Sequence, residues 1–217
     1  MLVGPTGWLG GTVGGGAIEH EVIAAAVDAL ARGEDCLVER HLVHDLAMCC
    51  GGAMKVFVEV QTYPVRCVVF GCGHVGRPLA ELAARCGFET VAIDSRAEFA
   101  DASRFGDAVQ VLCDDPLGVL EDLGVRETDF VVVATHDHGI DEEIVAAVLA
   151  GAPRYLGCIG SVRKGLMFRQ RLAARGIPEE RIALMRTPMG LDLGAETPDE
   201  IAVSVVAQMV AVRRGHD

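Results

Sequence analysis

The adjacent thiols Cys49 and Cys50, followed by Gly51 and Gly52, are the residues of this sequence best suited to meet a ligand through sulfur or to accept sulfur. Neighbouring side chains point apart in any extended backbone, so the two cysteines make a poor chelating pair. The glycines give the segment freedom and let another group approach closely. A plainer alternative is a pair of buried thiols ending a strand, and both remain open at this level. Thr135-His136-Asp137-His138-Gly139-Ile140-Asp141-Glu142-Glu143, directly after an expected strand, sets imidazoles beside carboxylates, chemistry that could hold a metal, move a proton or orient a cofactor ring. No third or fourth ligand follows at a recognisable spacing, so no metal site is expected. Gly160-Ser161-Val162-Arg163-Lys164 combines small residues with two cations and suits a phosphate or pyrophosphate, although Ser161 could simply cap a helix. Gly14, Gly15 and Gly16 lead towards Glu19. Free N–H groups there could take an anion and Glu19 could bond a polar ring edge, or the segment is an ordinary turn with an acid favourable to the helix dipole.

The most specific pattern is Gly71-Cys72-Gly73-His74-Val75-Gly76. Alone, a G-x-G-x-x-G is weak evidence. Here the apolar run Val68-Val69-Phe70 precedes it, a helix follows, and a second strand, Thr90-Val91-Ala92-Ile93, ends on Asp94. That grammar places a phosphate at a helix N-terminus and an acid where a ribose hydroxyl would sit. Asp94 would favour NAD, while Arg96 could accommodate a 2′-phosphate.

Elements that position these residues alternate through the last two-thirds of the chain. Strands are expected at 108–112, 130–134, 154–159 and 182–185, with helices over 117–123, 141–150 and 162–175 between them. Continuous apolar strands separated by helices imply a parallel sheet covered on both faces, an α/β Rossmann-type doubly wound fold. Thr197-Pro198-Asp199-Glu200 reads as a capping box opening a last helix. Residues 1–60 read as a small α+β domain, with a strand over 8–13, a helix over 18–31 and strands over 36–43 and 54–60. Residues 61–64 would form a linker to a Rossmann-like domain spanning 65–217. So short an N-terminal domain buries little surface and is expected to lean on its neighbour or on a second subunit.

With 217 residues and 51% hydrophobic content, the chain has ample material for a packed core. A net charge of −12 argues against a nucleic-acid partner. Arg163, Lys164, Arg169, Arg171 and Arg175 nevertheless crowd one helix, compatible with a small anion or with a solvated face. The absence of long apolar runs and of a signal-like N-terminus leads to the expectation of a cytoplasmic chain without a membrane span. Its eight cysteines lack framework spacing and are expected as thiols.

Taken together, GTVGGGAIEHEVI at 11–23, MCCGG at 48–52, VVFGCGHVGRPLAELA at 68–83, VAIDSR at 91–96, ATHDHGIDEE at 134–143, GCIGSVRK at 157–164 and PMGLDLGAETPDEIAVSVVAQ at 188–208 resemble the XdhC/CoxI family, accessory proteins of xanthine dehydrogenase and related molybdenum hydroxylases. The resemblance spans nearly the whole chain in the family's order. It implies a chaperone more than an enzyme, one that binds the molybdenum cofactor, supports its sulfuration with a cysteine desulfurase, and hands it to an apo molybdenum hydroxylase, with a homodimer expected. Cys50 with Gly51 and Gly52 matches the family's cysteine-glycine-glycine loop, and Cys49 precedes it as in the xanthine dehydrogenase type. Soft thiolate sulfur suits a molybdenum–dithiolene ligand or a sulfur relay. Ala17 stands where relatives of the carbon monoxide dehydrogenase type carry cysteine. The start at Met1-Leu2-Val3 resembles the middle of the family's small domain, so a helix and a strand are expected to precede it in the family pattern. The competing expectation is an NAD(P)-dependent oxidoreductase using the Rossmann cleft, though no residue stands out as its acid or base. A pure interaction module would bind no small ligand.

Overall fold

A computed structural model describes residues 1–41, 52–61 and 64–216, so Cys49, Cys50 and Gly51 lie outside the described residues. The chain divides into two compact units, Met1–Tyr63 and Pro64–Asp217.

In the first unit, β1 (Leu2–Gly4) pairs antiparallel with β2 (Gly7–Gly10). The expected strand over 8–13 is thus one arm of a tight hairpin, stopped where Gly11 takes a positive φ. Helix α1 (Gly16–Arg32) ends at Gly33, whose left-handed conformation turns the chain back. β3 (Cys36–His41) and β4 (Ala53–Val58) then form an antiparallel hairpin. Period-two alternation puts Val38 of β3 inward, where it packs with Ile18 and Val22 of α1.

In the second unit, six strands form one parallel sheet: β5 (Val65–Phe70), β6 (Phe88–Ile93), β7 (Val109–Leu112), β8 (Phe130–Val133), β9 (Tyr155–Cys158) and β10 (Met185–Arg186). Their spatial order is β10-β9-β8-β5-β6-β7. Numbered from β5, this is the 3-2-1-4-5-6 order of a Rossmann fold, and chain direction around the sheet reverses between β5 and β8.

Alternation along β5 explains the two buried faces. Cys67 and Val69 point towards α2 (Gly76–Arg85) and α7 (Pro198–Arg214), packing with Leu79, Ala83, Val205 and Met209. Val68 and Phe70 point to the other face, covered by α3 (Pro116–Leu123), α4 (His138–Gly151) and α5 (Val162–Ala174). The capping box expected at Thr197 is formed, with the Glu200 N–H donating to the Thr197 hydroxyl and the Thr197 N–H to the Glu200 carboxylate.

The strand expected at 182–185 is displaced. A short helix, α6 (Glu179–Ile182), takes its first residue, Ala183 and Leu184 turn, and β10 begins only at Met185. Pro178 precedes the helix, and Glu179 and Glu180 in its first turn favour the helix dipole, which outweighs the β-propensity of Ile182. No helix of the described residues is long and apolar enough to cross a membrane.

Candidate functional site

The motifs of the second unit converge on the carboxyl edge of its sheet. A shallow cleft there is lined by Gly71 after β5, Ile93, Asp94 and Ser95 after β6, Pro116 opening α3, Thr135 and His136 after β8, and Ile140. This is the reversal point at which open α/β sheets bind ligands.

Each glycine of the fingerprint answers to a different constraint. Gly71 has φ +103°, and a Cβ there would lie 2.2 Å from the Ala134 carbonyl oxygen of the neighbouring strand end. A Cβ on Gly76 would lie 1.7 Å from the Gly71 carbonyl oxygen, so the helix can enter only without one. Gly73 differs: its Cβ would meet nothing within 4 Å. Among the described residues no contact demands glycine at this position, which leaves open space beside the start of α2 for a group to approach the backbone. His74 is exposed beside it, and Val75 caps the helix without a side-chain hydrogen bond.

Asp94 is almost fully buried and its oxygens are already engaged. The Cys72 N–H donates to it at 2.9 Å and the Arg96 N–H at 3.1 Å, while the Arg96 guanidinium adds two bonds at 2.9 and 2.8 Å. Burial alone would raise its pKa, but the Arg96 hydrogen bonds and the backbone donors outweigh it and hold the carboxyl below the usual aspartate range. Arg96 in turn lies 3.8 Å over the Phe99 ring, with Arg104 at 5.2 Å from the same ring. The acid expected to meet a ribose is therefore gripped by the arginine expected to meet a 2′-phosphate.

The two other expected clusters of this unit are drawn into one network. Lys164 turns inward, its Nζ donating to Asp141 Oδ2 at 2.7 Å and to the Ile159 carbonyl at 2.8 Å. Asp141 Oδ1 accepts from the Thr135 N–H at 3.1 Å and the Thr135 hydroxyl at 2.7 Å. His138 is exposed, its Nδ1 3.6 Å from Asp141, and His136 faces the cleft. Ser161 caps α5 by accepting from the Lys164 N–H, and Arg163 points to solvent. The crowd of cations on α5 is largely internal: Arg171 pairs with Glu142, Arg175 with Glu143, and Arg169 donates to the Ile182 and Met185 carbonyls. Opposite charges on two neighbouring helices thus account for Arg171 and Arg175, an arrangement that neither a small anion nor a merely solvated face anticipated.

In the first unit, Glu19 folds back on the glycine turn. It accepts from the Thr12 hydroxyl at 2.5 Å, the Val13 N–H at 3.1 Å and the Gly15 N–H at 3.3 Å. The Thr12 hydroxyl and these amides lower its pKa. Donors expected to be free for an anion are in part taken by this carboxylate, while Gly15 and Gly16 both hold a positive φ at the start of α1. Arg40, near the end of β3, reaches Glu21 in the second turn of α1 at 2.6 Å. His41 pairs across the hairpin with Ala53.

Residues 67–209 match the model of the XdhC Rossmann domain, and residues 1–41 match that of the XdhC and CoxI family. The chain belongs to the XdhC and CoxI family. This XdhC-family chain is 35% identical over 98% of its length to an uncharacterised Escherichia coli protein, YqeB, and covers 40% of it. It is 34% identical over 74% of its length to a Bacillus subtilis protein described as a probable subunit of xanthine dehydrogenase, covering 46% of that protein. It is 27% identical over 69% of its length to the molybdenum cofactor insertion chaperone PaoD of Escherichia coli, again covering 40%. The chain thus spans less than half the length of these relatives. A solved structure described as a xanthine dehydrogenase from Bacillus halodurans shares the fold, with a TM-score of 0.63 at 24% identity, over 93% of this chain and 66% of that one.

Sequence reasoning placed Asp141 in the polar cluster after β8 but did not single it out as the hub of the carboxyl edge. A signal was present. Asp141 lies on the same helical stripe as Ile144, Val145 and Val148, and an acid on a buried apolar stripe requires a partner.

Proposed function

We propose that this chain is the core of an accessory protein that binds the molybdenum cofactor, supports its sulfuration and inserts it into a xanthine dehydrogenase-type molybdenum hydroxylase. The observation that carries the proposal is the XdhC-family match across both units, together with relatives named for xanthine dehydrogenase and for cofactor insertion. When bound, the cofactor supplies molybdenum, a dithiolene and a terminal phosphate. The open space at Gly73, beside the N–H groups of α2, suits that phosphate. Cys50, with Cys49 as its neighbour, is the proposed sulfur ligand or relay. The described residues that bracket this segment in sequence, His41 and Ala53, pair across the β3–β4 hairpin. A cysteine desulfurase as sulfur source, a homodimeric assembly and a cytoplasmic setting belong to the same proposal.

Anaerobic purification from cells able to make the cofactor, followed by oxidation and pterin fluorescence, tests it. Near-stoichiometric pterin is expected, with clear loss in Cys50→Ala. Protein carrying no pterin overturns the reading. The fingerprint also supports a second reading, an NAD(P)-dependent oxidoreductase. The internal Asp94–Arg96 pair weighs against it, because a ribose diol would have to displace or share a fork already formed. Nicotinamide titration with a substrate-dependent absorbance change would favour that second reading.

A further inference from the structure

Two buried ion pairs occupy opposite edges of the parallel sheet, and their settings differ. Arg66 and Asp129 lie at the amino edge, among loop carbonyls at Leu123 and Gly124. Asp141 and Lys164 lie at the carboxyl edge, and their contacts run directly to the cleft. Asp141 is fully buried, and Lys164 is 8% exposed. Through Asp141, the first turn of α4 is tied to the Thr135 backbone and hydroxyl after β8. Through Lys164, the first turn of α5 is tied to the Ile159 carbonyl after β9. Lys164 Nζ also lies 5.0 Å over the Phe168 ring, which fixes the direction of its stem.

A buried ion pair is a poor way to gain stability, since apolar residues of similar volume often do as well or better. What it does supply is direction: each oxygen of Asp141 has its own donor, and the donors sit on different elements. One of those elements, Thr135–His136, is a wall of the cleft. We propose that Asp141 is a positioning residue, with Lys164 as its counter-ion, and that the pair holds the Thr135–His136 wall of the cleft in its ligand-accepting position. Lys164 is on this account not a ligand cation. The inference rests on the proposed function for the identity of the ligand, but not for the ordering of the wall.

The balanced variant Asp141→Leu/Lys164→Met tests it on the full chain, because removing both charges leaves neither stranded. Its thermal midpoint is expected below that of the parent, because the Thr135 N–H and hydroxyl and the Ile159 carbonyl lose their partners, but above that of a variant that strands one charge. Amide hydrogen exchange should accelerate at least tenfold at Thr135, whose N–H donates to Asp141, while Val132 and Val133 of β8 keep their protection. Pterin retained after anaerobic purification should fall at least tenfold. Unchanged exchange at Thr135 would overturn the inference, and so would faster exchange with full pterin retention. If the parent protein retains no pterin, the proposed function fails on its own, and the exchange pattern still decides whether the pair orders the wall. Single Asp141→Asn is the harsher comparison: it strands Lys164, and a lower midpoint is expected.

Discussion

Arg96 grips Asp94 through a two-point fork, with Nε 2.9 Å and Nη2 2.8 Å from the two carboxylate oxygens, at the end of the second Rossmann strand. Burial opposes the charge on Asp94, but the fork and the amides of Cys72 and Arg96 favour it more, so its pKa lies below the ordinary value. A folded-state pKa below the unfolded one gives stability that is full above the unfolded value and lost as pH falls through the folded one. The stability difference between the parent and Asp94→Asn should therefore be flat from about pH 6 to 5 and shrink below about pH 4, near the unperturbed aspartate value. Urea unfolding at stepped pH measures it. A difference that stays constant to pH 3 would mean that the charge on Asp94 is not what the fork stabilises.

Glycines of the fingerprint should separate folding from binding. Gly76→Ala forces a Cβ against the Gly71 carbonyl oxygen, backbone on backbone, and should cost about 3 kcal/mol. Gly73→Ala meets no atom of the described residues within 4 Å and should stay within about 0.5 kcal/mol of the parent. Its methyl group occupies the space assigned to phosphate, so retained pterin should drop although urea unfolding is unchanged. If Gly73→Ala retained pterin like the parent, phosphate would have to bind elsewhere.

Thiol reactivity should follow burial. Burial pushes the Cys72 and Cys158 thiols up to about 12, and drives Cys67 upward as well. Cys113, just past β7, is exposed. Alkylation of the native protein at pH 8, read by peptide mass spectrometry, should modify Cys113 well before these three. The Cys72, Cys67 and Cys158 peptides should react only after denaturation. Early labelling of Cys72 would show that the fingerprint turn opens in solution.

Local pattern carried most of the fold to the surface of the sequence. Apolar runs such as Val68–Phe70 and Phe130–Val133 can only be central strands, and Thr197-Pro198-Asp199-Glu200 could hardly be anything but a helix start. What stayed hidden was pairing at a distance. Lys164 looked like a free cation because its partner, Asp141, sits on another helix, and only folding reveals which stripe each shares. Lys164, Phe168 and Leu172 are four apart and all buried, so the lysine's place on an apolar stripe was visible but its counter-ion was not. Arg96 and Asp94 were seen singly as ligand groups for the same reason. β10 was displaced because Ile182, apolar and β-branched, can serve equally in a strand or on the buried side of a short helix.

At the amino edge, away from the cleft, Arg66 and Asp129 offer a test of charge pairing without ligand chemistry. Arg66 Nε and Nη2 approach the two oxygens of Asp129 at 3.0 and 2.5 Å, and the guanidinium also donates to the Leu123 and Gly124 carbonyls. Asp129 accepts the Arg126 N–H at 2.8 Å as well. Arg66→Met strands a buried carboxylate and should cost about 3–5 kcal/mol. Arg66→Met/Asp129→Leu removes the stranded charge but leaves the Arg126 amide and two carbonyls without their partners, so about 1–3 kcal/mol should remain lost. The ordering matters more than either value: the double variant must be more stable than the single one. Urea unfolding in a double-mutant cycle reads that order directly, and a double variant no more stable than Arg66→Met would show that the backbone bonds of Arg66, not its charge, close this edge of the sheet.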